Sequence, residues 1–77
     1  MAGVAPTYYV RKIKGRYQIM LAGKPVGTVI FDGDKLWIGE IKGVGKDGKS
    51  PVWAAQRTVH LHFPMARFNV NIQEKLG

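Results

Sequence analysis

"YYVRKIKGRYQIMLA", residues 8–22, holds two alternating runs on either side of a glycine. In "RYQIMLA" Tyr17, Ile19 and Leu21 fall on one row, and Arg16, Gln18 and Met20 on the other. In "YYVRKIK" Tyr9, Arg11 and Ile13 oppose Tyr8, Val10, Lys12 and Lys14. A period of two belongs to strands. Gly15 separates the runs, so residues 8–22 read as a tight hairpin. One row of its first strand is expected to face a core and the other to face out, carrying tyrosine and lysines.

The pattern continues in both directions. "MAGVAPT", residues 1–7, has no charged head followed by an apolar stretch and reads as a loose N-terminal arm, not a signal peptide. "AGKP" (22–25) and "DGD" (32–34) are turn chemistry. They flank the strands "VGTVIF" (26–31) and "KLWIGEI" (35–41). The loop "KGVGKDGKSP" (42–51) follows.

Beyond the loop two periods compete. In "VWAAQRTVHLHF" Trp53, Ala55, Val59, Leu61 and Phe63 form an odd-numbered apolar row that only Arg57 breaks, as in a strand. Ser50 as N-cap, Pro51 at the first helical position and a stripe of Val52, Ala55, Val59 and Phe63 instead suit a helix. A short helix near 51–58 thus remains open, with strand expected from Thr58. "FNVNIQ" (68–73) alternates again, with Phe68, Val70 and Ile72 expected inward. A second hairpin over 58–73, turning at "PMAR" (64–67), accounts for the change of parity. The fold class expected is mainly β: a small antiparallel sheet or barrel of five to six short strands, with room for one short helix near 51–58. Residues 8–77 are expected to form one small domain.

Composition narrows the function. A chain of 77 residues without cysteine has neither a disulfide framework nor a thiolate zinc site. It buries about 60% of its unfolded surface, so its core is small. Lack of cysteine fits a reducing, cytoplasmic location, and no apolar run is long enough for a membrane span. The net charge is +7. Arg11, Lys12, Lys14, Arg16 and Lys24 all precede the first acid, Asp32. A basic domain attracts polyanions or acidic protein faces.

"GVGKDGKS", residues 43–50, matches the phosphate-loop spacing, with Gly43, Gly48, Lys49 and Ser50 in the key places. Physical objections weigh against it. Such loops sit in parallel sheets with helical crossovers, which a short chain of alternating strands does not provide. No later apolar run ends in an aspartate to hold magnesium, and Asp47 would lie beside the phosphates. His60 and His62 would share one face of a strand, but a stable metal site needs three or four ligands and none lies nearby in sequence. Ser50 is the only serine, and the acids are scattered. No enzyme, metal or cofactor is expected.

Two classes of function remain. The first is a nucleic-acid-binding module, for DNA or RNA. Its basic and aromatic sheet face would use Tyr8, Arg11, Lys12, Lys14, Arg16 and Gln18, with Lys42, Lys46 and Lys49 clamping from the loop. The second is a small protein-binding adaptor or inhibitor, of the type carried by phages and other mobile elements. It would dock through an exposed tryptophan, Trp37 or Trp53, or through an edge strand, which also allows a homodimer.

Overall fold

In the computed structural model, residues 6–75 are described. Six strands make one sheet: β1 (Thr7–Ile13), β2 (Arg16–Leu21), β3 (Lys24–Phe31), β4 (Trp37–Glu40), β5 (Asp47–Gly48) and β6 (Arg67–Lys75). A single helix among them, α1 (Pro51–His62), joins β5 to β6. The spatial order is β5-β4-β3-β2-β1-β6. The protein is mainly β with one short helix, as expected, and the sheet curls into a half-barrel. Residues 1–5 of the expected arm lie outside the described residues, and Thr7 already begins β1.

Two-residue turns join β1 to β2 and β2 to β3, and a third closes the Ile41–Val44 bridge after β4. Lys14–Gly15, Ala22–Gly23 and Lys42–Gly43 all have positive φ at both positions. This is the type I′ turn, whose twist matches that of the flanking strands. The turn expected over 22–25 is therefore shorter, and Pro25 sits inside β3 opposite Met20. The register shifts at that point, so the missing N–H of proline falls at a bulge. Ala22 pays for its left-handed backbone, at φ 52, about 1 kcal/mol. Ala22→Asn is expected to raise the unfolding free energy by roughly 0.5–1 kcal/mol, because asparagine tolerates this region. Urea melts measure it, and a destabilised variant would contradict the turn type.

The strand expected from Thr58 is helical instead, and the hairpin over 58–73 does not form. The helical signals near Ser50 extend through His62. The Ser50 hydroxyl accepts from Trp53 N–H at 3.1 Å, and Pro51 starts the first turn. The buried positions are Ala54, Ala55, Thr58 and Val59, which is helical spacing. The odd-numbered row is split, with Ala55 and Val59 buried but Trp53 and Leu61 exposed. Because α1 carries the chain back across the sheet, β6 lies parallel to β1 while the other strand pairs are antiparallel. A parallel neighbour requires such a crossover.

Small residues let α1 lie close to the sheet. A Cβ at Gly39 would stand 2.5 Å from the Thr58 hydroxyl and 2.8 Å from the Ala54 carbonyl oxygen. One at Gly48 would stand 2.6 Å from the Ala54 nitrogen. Thr58 is fully buried, and its hydroxyl donates to the Ala54 carbonyl (2.8 Å) and accepts from Lys46 N–H (3.0 Å). The core between helix and sheet contains Tyr8, Val10, Ile19, Val29 and Ile41 against Ala54, Ala55 and Val59.

β6 departs from its expected alternation. Phe68 packs against the core, but Val70 and Ile72 are 58% and 39% exposed rather than inward. The pairing explains it. Tyr9 faces Asn69, yet Arg11 faces Gln73, so β6 carries two more residues than β1 over this interval. Such a bulge interrupts the free edge with which a second copy would pair.

Candidate nucleic-acid interface

Helix α1 covers one face of the sheet, and the residues on the opposite face follow from register. Gln73 pairs with Arg11, Arg11 with Gln18, Gln18 with Thr28, and Thr28 with Glu40. Facing residues point to the same side. A single polar row therefore crosses β6, β1, β2, β3 and β4 on the uncovered face. Arg11 Nη2 donates to Gln18 Oε1 at 2.9 Å, so the middle of the row is bonded internally. Beside it runs a second row of Asn69, Tyr9, Met20 and Pro25, in which Met20 is fully buried. Arg16 and Arg67 keep the same parity at the starts of β2 and β6, and both are exposed.

The site residues expected from sequence divide between the two faces. Arg11, Arg16 and Gln18 share the uncovered face. Lys42, in the turn after β4, lines a recess with Gln18, Thr28 and Glu40 and so borders that face. Tyr8 does not belong to the outward face expected of it. It is 4% exposed, stacked on Phe63 with ring centroids 5.6 Å apart, and belongs to the core. The outward row of β1 is therefore Tyr9 and Arg11. Lys12 falls on the helix side, where its ammonium lies 5.6 Å from the centre of the Tyr17 ring. Lys14 is exposed in the first turn.

The loop does not act as one clamp. Lys46 borders a different recess, with Trp53, Gln56, Arg57, His60 and Leu61, along the outer side of α1. Lys49 is exposed just before the helix. The phosphate-loop spacing is also otherwise employed. The Ser50 hydroxyl caps α1 and engages Trp53 N–H, Pro51 has no N–H, and Asp47 pairs with Arg57 at 3.3 Å. Of the first-turn donors only Val52 is left to meet an anion.

The tryptophans differ. Trp37 is partly buried against the core, 5.2 Å from both Tyr17 and Phe31 between ring centroids. Trp53 is 50% exposed. His60 and His62 stand on a helix rather than on one face of a strand. Their Nε2 atoms lie 2.9 Å from the Ala66 and 2.8 Å from the Val44 carbonyl oxygens, each a donation from the ring. Among the described residues no group of three or more His, Asp or Glu could hold a metal ion. No helix among them is long and apolar enough to cross a membrane.

Sequence reasoning missed Tyr9, Thr28, Asn69, Gln73 and Arg67. Both rows of β1 carry a tyrosine and an aliphatic residue, so parity alone does not reveal the buried one. Asn69 and Gln73 reach this face only because β6 pairs with β1. Comparison with protein-family models, curated proteins and solved structures found no match.

Proposed function

We propose that this protein is a nucleic-acid-binding module that lays the uncovered face of its sheet on the polyanion. The observation that supports this most is the polar row Gln73–Arg11–Gln18–Thr28–Glu40, flanked by Arg16 and Arg67. Arginine, glutamine and asparagine are the side chains that read base edges, and strands as well as helices enter grooves. The net charge of +7 supplies attraction to phosphates. Within that face Glu40 is the one acid of the row, at the end farthest from β6. A cytoplasmic site of action goes with this function.

The test is fluorescence anisotropy of labelled single- and double-stranded oligonucleotides over a salt series. Micromolar or tighter binding near physiological salt is expected. The logarithm of affinity should fall linearly with the logarithm of salt, by about 0.7–0.9 per phosphate neutralised. Binding confined to low salt would reduce the interaction to bulk charge attraction and defeat the proposal.

A second reading has its own observation. Trp53 and Leu61, two turns apart on α1, are 50% and 43% exposed and border the recess with Arg57 and His60. They would serve a protein-binding adaptor as an apolar anchor. In that case affinity for the partner depends little on salt and drops when Trp53 is truncated.

A further inference from the structure

The bulge in β6 has a chemical consequence on the uncovered face. Between the pairs Tyr9–Asn69 and Arg11–Gln73 the two strands fall out of step. Asn71 N–H turns back to donate to Asn69 Oδ1 at 2.9 Å. At this place lies an open recess of about 430 Å³, lined by Tyr9, Arg11, Asn69, Gln73 and Glu74. Ligand sites commonly span roughly 300–1,000 Å³. Bulges also recur where a strand must re-aim side chains at a site.

Both donors and acceptors line the recess, the acceptors including the Gln73 amide oxygen and the Glu74 carboxylate. The Asn69 amide oxygen is engaged by Asn71, and the Gln18 amide oxygen by Arg11. The Asn69 NH₂ and the remaining guanidinium N–H groups are donors. Arg11 Nε is shut off from solvent and has no hydrogen-bond partner among the described residues. An unmade bond to a buried charged donor is costly. An acceptor brought into the recess would relieve that cost after a small swing of the guanidinium. Tyr9, half-buried in the same wall, offers an aromatic face on which a base can stack.

We propose that this recess seats one unstacked nucleobase, and that the base is guanine. Guanine places two acceptors, O6 and N7, side by side, and arginine is their commonest partner. Tyr9 is the stacking platform, Arg11 donates to O6 and N7, and Asn69 and Gln73 border the base. This inference rests on the nucleic-acid function proposed above and adds the form of ligand: a single strand, or a base turned out of a duplex.

Two measurements test it on the full chain. The first compares labelled oligothymidines that carry one central guanine, 7-deazaguanine or abasic site. The guanine strand is expected to bind about tenfold tighter than the other two, since 7-deazaguanine keeps O6 but lacks N7. Tyr9→Leu should abolish the preference and Tyr9→Phe should keep it. The second adds guanosine monophosphate and follows the side-chain NMR signals of Arg11 Nε–H and Asn69 NH₂, which should shift. It needs no variant, so it stands even if Tyr9→Leu fails to fold. Strands that bind equally well, with no shift on adding the mononucleotide, overturn the base site and leave the sheet-face function intact. Shifts at the recess without binding of any strand support the base site and overturn the nucleic-acid function. A preference for another base overturns the assignment to guanine.

Discussion

Gly39→Val is expected to cost several kcal/mol, most of the stability of a chain this size. Even the first carbon of the new side chain would stand 2.5 Å from the Thr58 hydroxyl and 2.8 Å from the Ala54 carbonyl oxygen. Neither neighbour is the free end of a flexible side chain. One is backbone, and the other is the fully buried hydroxyl that bonds Ala54 and Lys46. Overpacking of this kind costs about 1–3 kcal/mol. Pushing α1 outward would also break the Thr58 bonds, at about 1–3 kcal/mol for each buried group left unpaired. At about 0.05–0.15 kcal/mol per residue, a domain of this size has only about 4–12 kcal/mol in hand. Gly48→Ala should show a milder form of the same effect, because its Cβ would meet the Ala54 nitrogen at 2.6 Å. Gly15→Asn has nothing within 4 Å but keeps φ at +76, so it should cost at most about 1 kcal/mol, from backbone strain and not from packing. Circular dichroism and denaturant melts decide the matter. A Gly39→Val protein that melts within about 1 kcal/mol of the parent would mean that α1 does not pack on β4 in this way.

The pair Arg11→Ala and Arg16→Ala is expected to weaken oligonucleotide binding by about 10- to 100-fold and to lower the salt slope by about two. Arg16 is exposed and Arg11 is half-buried, and both lie on the face that α1 leaves open. Their loss should move the melting curve little, because most core residues lie on the other side of the sheet and only Met20 is fully buried on this one. Lys46→Ala with Lys49→Ala removes the same amount of charge. Lys46 borders the outer side of α1 rather than the uncovered face, so this second pair should cost distinctly less. If it costs as much or more, binding does not use the uncovered face and Arg11 has been placed in the wrong role. Comparing two variants of equal net charge separates geometry from bulk attraction, which a single variant does not.

Several features of this molecule are local and were therefore legible in the sequence. Alternation in "RYQIML" set Ile19 and Gln18 on opposite sides of the sheet, because the strand period is a property of the backbone. Glycines at 15, 23 and 43 ended their strands where positive φ was needed. Ser50 and Pro51 announced the helix start, since capping involves only a few neighbouring residues. The length of that helix was less legible. Trp53, Ala55, Val59 and Leu61 satisfy a strand row as well as parts of two helix faces, and only the partner surface chooses between them. Gly39 and Gly48 made the choice by offering a close seat to Ala54 and Thr58.

Residue order alone carried a small, basic, mainly β chain, glycines at three of its turns, and the excess of positive charge ahead of Asp32. Those depend on composition and on short-range sterics. Packing between segments distant in the chain made Tyr8 core and left Tyr9 outward. It also decided that β6 runs parallel to β1, and that Gln73, Arg11, Gln18, Thr28 and Glu40 form one row. A strand's period says which residues share a side but not which side is buried. That choice belongs to the helix that covers the sheet, and the row belongs to pairings between residues distant in the chain.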